Sequence, residues 1–205
     1  MTTMITIYGD ILSGNCYKLK LLCALLDIPH EWVAVDVVKG ESRTPDFLAM
    51  NPNGKIPVVQ LENGEFLPES NAALHYLAAG TPWLPTDRLA HARVLQWMFF
   101  EQYSHEPFIA VARYISKYLG LPESRRAEYE SKQAGGHRAL AVMEQQLARG
   151  PFLVGASATI ADIALYAYTH VAHEGGFDLA AYPALQAWLG RIRALPGYRA
   201  MTDQT

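Results

Sequence analysis

Three short stretches of the chain combine residue types and spacing that can do chemistry. The first is Leu12-Ser13-Gly14-Asn15, set between a β-branched, aromatic run and an amphipathic one. A strand-loop-helix unit with small polar residues at its turn gathers a hydroxyl, an amide and backbone N–H groups beyond the carboxyl end of a strand, where open α/β sheets bind ligands. N–H groups at a helix start favour an anion or a thiolate. Ser13 and Asn15 also suit plain helix capping, which on this loop alone is the commoner use. The second stretch is Gly54-Lys55-Ile56-Pro57-Val58-Val59. Pro57 cannot donate to a ladder, so it must stand at a strand's entry or edge. Base rates favour an ordinary trans bond there, whereas a cis Ile56-Pro57 bond would turn the Ile56 backbone out to pair with an extended peptide. The third is Leu67-Pro68-Glu69-Ser70-Asn71-Ala72, where a strand gives way to a helix. Its carboxylate beside a hydroxyl suits the two ends of an α-amino acid: Glu69 for the ammonium, Ser70 and the helix start for the carboxylate. A simple cap fits those residues equally well.

Elements that would position these residues are readable around them. Ile5-Thr6-Ile7-Tyr8 reads as a strand ending at Gly9-Asp10, and residues 16–26 as a helix with Cys16, Leu19, Leu22, Cys23 and Leu26 on its apolar face. Lys18 and Lys20 fall elsewhere on that wheel. Trp32-Val33-Ala34-Val35 completes a β-α-β start, which closes right-handed with its two strands parallel. A short helix is optional at 45–50. Glu62-Asn63-Gly64 between two apolar runs is a hairpin signal, so strands 58–61 and 65–67 pair antiparallel and precede a helix at 69–79. From residue 88 only helical periodicity remains, giving helices near 88–118, 123–148, 159–173 and 183–194. The reading is thus a first domain of residues 1–80, a Pro-rich linker at 81–87 and a helical domain at 88–205.

Composition narrows the function. Of 205 residues 50% are apolar and 18% charged, and the charge of −3 is interspersed, which leaves no basic patch for nucleic acid. The longest apolar stretch, 160–172, contains Asp162 and His170 and is too short to span a bilayer. No signal-peptide pattern opens the chain. Cys16 and Cys23 lie on one helical face, too far apart to bond each other, which argues for a reducing, cytoplasmic setting. His170 and His173 have no third ligand in the pattern, so no metal is expected.

Taken in order, the motifs resemble the cytosolic glutathione transferases, in a bacterial form. Four strings carry the likeness: Asp10-Ile11-Leu12-Ser13-Gly14-Asn15-Cys16-Tyr17-Lys18, Asn51-Pro52-Asn53-Gly54-Lys55-Ile56-Pro57-Val58, Pro68-Glu69-Ser70-Asn71-Ala72, and Gly155-Ala156-Ser157-Ala158-Thr159-Ile160-Ala161-Asp162. In the last, Thr159 would cap a helix and Asp162 would reach back to the cap's N–H. The resemblance covers essentially the whole chain. It implies an α/β thioredoxin-like N-terminal domain (βαβ-ββα) plus an all-α C-terminal domain, glutathione as co-substrate, a small hydrophobic electrophile as second substrate, and a homodimer. By the same resemblance Ile56 would pair its backbone with the cysteinyl part of glutathione beside Pro57. Glu69 and Ser70 would hold the γ-glutamyl end, and Lys55 would lie near a carboxylate. Ser13 would hydrogen-bond the sulfur, whose pKa near 8.5 must drop by about two units, roughly 2.7 kcal/mol, to be thiolate at neutral pH.

The loop keeps three thiol helpers open. The Ser13 spacing resembles the serine-using theta class, Ser-Gly-Asn resembles nu-type members and recruits Asn15, and Cys16 stands where the beta class carries a cysteine able to form a mixed disulfide. Tyr8, at the strand end, is expected to pack. For the electrophile, residues 97–118 hold Trp97, Phe99, Phe100, Tyr103, Phe108, Tyr114 and Tyr118. Most must be core. Tyr103, Arg113 and Tyr114 are the candidates for its solvent-facing end. Peroxidase, disulfide-reductase or isomerase activity on the same site, or a non-catalytic binding protein of the same fold, are the alternatives.

Overall fold

The chain is described by a computed structural model over residues 4–203. Alternating burial along β1 (Ile5–Gly9) puts Ile5 and Ile7 into the core on one face of the sheet. This strand pairs in parallel with β2 (His30–Ala34), Ile7 opposite Trp32, and antiparallel with β3 (Val58–Gln60), Ile7 opposite Val59. β4 (Phe66–Pro68) closes the order β2-β1-β3-β4 by pairing antiparallel with β3. The Asn63-Gly64 turn forms as its sequence requires, with Gly64 at φ 86°. Three helices belong to this sheet: α1 (Gly14–Leu25), α2 (Pro45–Met50), which Thr44 caps through its hydroxyl, and α3 (Ser70–Leu77). Val35, Phe47 and Val58 form a buried cluster against which Tyr8, Met50 and Ile56 pack. Tyr8 also reaches Gln60 through its hydroxyl at 3.2 Å.

The helical wheel misplaced two lysines. Lys18 and Lys20 are 0% and 3% exposed, because each finds buried acceptors that the periodicity of α1 cannot show. Lys20 Nζ donates to the Met201 carbonyl at 3.1 Å and to that of Asp203. Tyr17 donates its hydroxyl to the Arg199 carbonyl at 2.7 Å. These bonds bind the C-terminal segment from Leu195 onward to the sheet-containing unit, whereas the sequence reading left it with the helices. The other compact unit is Gly80–Ala194.

In that second unit α4 (Arg88–Phe100) and α5 (Glu106–Arg113) replace the single helix expected over 88–118. Wide π-type turns at Glu101–His105 and Tyr114–Tyr118 flank α5. The first ends two residues before Pro107, whose ring and missing N–H interrupt an α-helical ladder. In α6 (Arg126–Leu147), Gly135 and Gly136 are required, since a Cβ at either would overlap the ring of Phe108 or Phe177. α7 (Ile160–Thr169) is buried at every residue and opens with the capping box expected from Thr159 and Asp162. The Asp162 carboxylate accepts from Thr159 N, Thr159 Oγ1, Leu153 N and, on α8 (Pro183–Arg193), Trp188 Nε1, all within 3.1 Å. Four donors hold one buried charge.

His170, at the end of α7, stacks on Tyr166 at 4.7 Å and donates Nδ1–H to the Tyr166 carbonyl. Burial pushes its pKa down to about 4, with nearby Arg113 adding to the effect. A histidine with a depressed folded pKa takes up its proton first in the unfolded chain. Stability is therefore expected to be full above about pH 6.5 and to fall toward pH 4, by up to about 3 kcal/mol from this residue. Urea melts of wild type and His170→Phe at pH 7 and pH 5 check this: the variant should lose less stability on acidification, and an identical loss would refute it.

Candidate functional site

The Ser13 loop is built by hydrogen bonds to Asp10. Leu12 N donates to its carboxylate at 2.8 Å and Ser13 N to its carbonyl at 3.0 Å. Ser13 itself sits in extended backbone and caps α1, its Oγ accepting from Cys16 N at 3.4 Å. A half-buried hydroxyl and the first N–H groups of a twelve-residue helix thus meet at the end of β1. The chain comes this close only because residue 9 is glycine: a Cβ there would lie 2.7 Å from Cys16 Sγ.

Asn15, the second residue of α1, is joined to the start of α3. Ser70 Oγ donates to Asn15 Oδ1 at 3.2 Å, and Lys18 Nζ donates to Ser70 Oγ and to Asn71 Oδ1, each at 3.2 Å. Lys18 was not singled out from sequence, and its 3.6-residue spacing gave no sign of a role. Glu69 precedes Ser70 in an exposed position with φ 69° and ψ 108°, a backbone that costs a non-glycine residue about 1–3 kcal/mol. The Ile56-Pro57 bond is cis, against the base rate. Asn51, also unflagged, shapes the loop before it: its Nδ2 donates to the Lys55 carbonyl at 2.8 Å and its Oδ1 accepts from Asn53 N at 3.1 Å. An asparagine just ahead of Pro52-Asn53-Gly54 reads as an ordinary turn residue, so although it opens one of the motif strings it was given no role of its own.

Ser13, Asn15, Lys55, Ile56, Pro57, Glu69 and Ser70 therefore all lie at loops and element ends of the first unit, with Asn15 and Ser70 in direct contact. Cys16 is 0% exposed, and burial pushes its thiol up to about 12, outweighing the Ser13 hydrogen bond that acts the other way. In the second unit Tyr103 is 82% exposed and Tyr114 lies 5.3 Å from Tyr118, ring to ring. Arg113 is not at a solvent-facing end. It is 2% exposed, with Nε on the Glu174 carboxylate at 2.7 Å and its guanidinium 5.9 Å from the centre of the Tyr118 ring. Glu174 also pairs with Lys117 at 2.9 Å.

A mixed four-stranded sheet with a cis proline leading into β3, a serine-capped α1 and a polar start to α3 is the thioredoxin-like arrangement, here joined to an all-helical unit. Family models agree: the glutathione S-transferase N-terminal domain matches residues 12–79 and the C-terminal domain residues 126–191. The chain belongs to the glutathione S-transferase family. A solved glutathione S-transferase from Pseudomonas fluorescens is 57% identical with a TM-score of 0.96, covering 98% of this chain and 100% of that one. The disulfide-bond oxidoreductase YfcG of Escherichia coli is 31% identical, covering 89% of this chain and 87% of its own. A glutathione transferase from Phanerochaete chrysosporium, solved with oxidized glutathione, is 26% identical with a TM-score of 0.85, covering 96% and 93%.

Burial also pushes the Cys23 thiol up to about 12. In native protein at pH 7.5 (about one pH unit below an ordinary thiol pKa) neither cysteine should react with iodoacetamide within hours, and both should react once the chain is unfolded in urea. Rapid native labelling of Cys16, seen by peptide mass spectrometry, would contradict its burial.

Proposed function

We propose that the protein binds glutathione through its first unit, holds it as thiolate and transfers it to a hydrophobic electrophile. The observation that carries this reading is the convergence at one unit of a hydroxyl-capped helix start and the Asn15–Ser70 contact at the start of α3. Ser13 donates its hydroxyl hydrogen to the sulfur, Asn15 adds an amide N–H, and the N-terminus of α1 contributes its partial positive charge. The Ile56 backbone pairs with the cysteinyl residue, Glu69 takes the γ-glutamyl ammonium, Ser70 takes its carboxylate through the backbone N–H at the start of α3, and Lys55 lies beside an anionic end. The thiolate then attacks an electrophilic carbon, forming a thioether as the leaving group departs. Tyr103 and Tyr114 provide aromatic surface for the electrophile, and Arg113 fixes the second π-type turn through Glu174. No metal enters this reaction. The working form is an isologous homodimer in the cytoplasm. The two unbridged cysteines support a reducing setting, and no helix among the described residues is long and apolar enough to cross a membrane.

A second reading, glutathione-dependent disulfide reduction, is favoured by the likeness to YfcG. Because Cys16 is buried as a neutral thiol, that chemistry would run through glutathione sulfur alone, with no mixed disulfide on the protein. Assaying an aryl halide beside a small disulfide, with mass spectrometry for a protein–glutathione adduct, separates the two readings.

Ser13→Ala removes a donor to a charged acceptor, costing roughly 1.5–3 kcal/mol, and should move the pH profile of kcat/KM alkaline by about one to two units while glutathione affinity changes little. Full activity at neutral pH in this variant would overturn the assignment. Glu69→Gly separates stability from function at a single position: it relieves the positive-φ backbone and should stabilise the fold by about 1 kcal/mol. It should also weaken glutathione binding by about 2 kcal/mol through loss of a charge-assisted contact. Calorimetric titration and thermal melts read both. Light scattering at micromolar concentration should give a dimer mass, and a monomer would exclude that part of the proposal.

A further inference from the structure

We propose that Lys18 is a positioning residue for thiol activation: its buried ammonium sets the direction of the Ser70–Asn15 hydrogen bond and so decides which side of the Asn15 amide faces the sulfur. This rests on the reading above, in which Asn15 shares the glutathione thiolate with Ser13.

Lys18 lies on α1 three residues after Asn15 and is fully buried. An ammonium has donors and no acceptor, so at 3.2 Å from Ser70 Oγ it can only donate into that oxygen's lone pair. With its oxygen accepting, the Ser70 hydroxyl directs its own hydrogen to Asn15 Oδ1, also 3.2 Å away. An asparagine whose carbonyl oxygen is committed in this way presents N–H on the amide's other side, and N–H is what a thiolate accepts. The second Lys18 contact, to Asn71 Oδ1 at 3.2 Å, matters for the same reason. While the ammonium occupies that carbonyl, it does not compete for the Ser70 hydrogen. Without Lys18, Asn15 Oδ1 and Asn71 Oδ1 become rival acceptors for one hydroxyl. The Asn15 amide is then no longer held against a half-turn that would point its carbonyl oxygen at the sulfur. The relay is a donor chain with one sense, from Lys18 through Ser70 to Asn15, in which only its first member carries a charge.

The test titrates the ultraviolet absorbance of bound glutathione thiolate against pH at saturating ligand, alongside the affinity for S-methylglutathione, which has no thiol to ionise. Lys18→Met keeps most of the side chain's length without its donors. It should raise the bound thiol's pKa by about one pH unit, tenfold in the ionisation constant, with S-methylglutathione affinity within about threefold of wild type. Lys18→Arg, still a donor-only cation, should recover at least half of the shift. Lys18→Met with Asn71→Ala, which removes the rival acceptor, should also recover part of it. If Lys18→Met does not fold, Ser70→Ala breaks the relay with the lysine still bonded to Asn71, and should produce the same rise. A wild-type thiol pKa in folded Lys18→Met, or in Ser70→Ala where that is the variant measured, overturns the proposal, even if the melting temperature falls. Wild-type protein that binds no glutathione refutes the underlying reading instead.

Discussion

A buried ammonium between α1 and α3 is the constraint on which the first unit's chemistry depends. Taking a lysine head group out of water costs several kcal/mol unless acceptors surround it. Lys18 meets that requirement with the hydroxyl of Ser70 and the amide oxygen of Asn71, both at the first turn of α3. These bonds do two jobs. They fix the start of α3 against the start of α1, and they settle donor and acceptor roles through Ser70 to Asn15. A leucine at position 18 would pack two helices together as well, but would leave the polar groups at both helix starts undirected.

The second unit solves a similar problem with the opposite charge. Asp162 is fully buried at the first turn of α7 and takes donors from its own cap, from the loop at Leu153 and from Trp188 on α8. Each donor comes from a different stretch of chain, so one carboxylate sets the relation of loop, cap and helix within that unit. In both units a buried charge at a helix start is satisfied by neutral groups, and this specifies geometry more sharply than apolar contact, which tolerates small slips.

Sequence legibility followed the range of the interactions. The β-α-β start, the Asn63-Gly64 hairpin, the short helix at 45–50 and the Thr159–Asp162 box were all readable, because each is written in residues within a few positions of one another. The roles of Lys18 and Lys20 were not, because their acceptors lie 52 to 183 positions away. A helical wheel assigns a lysine to solvent by type and cannot see a carbonyl arriving from the far end of the chain. Arg113 failed in the same way: its burial depends on Glu174, 61 residues on. The break between α4 and α5 is local and was still missed: Pro107 stands inside the helix expected over 88–118, and helical periodicity runs on through it. The candidate loops stood out in the sequence because their small polar residues sit at element ends, where sequence pattern and position coincide.

The contrast between Cys16 and Ser13 shows how one helix start can shelter one sulfur and serve another. Both residues sit at the N-terminal turn of α1, whose N–H groups ordinarily lower a thiol's pKa. For Cys16 burial outweighs this, because its Sγ is pressed against Gly9 at the end of β1, where any larger residue would collide, and no water reaches it. Ser13, one step outside the helix, keeps a half-buried hydroxyl. The protein's own sulfur is thereby made part of the packing, inert at neutral pH, and in the proposed reaction the loop's donors are left for the sulfur of glutathione. A chemistry that stabilises a foreign thiolate without risking a mixed disulfide with the chain needs this separation, and the close contact of Gly9 with Cys16 is what enforces it.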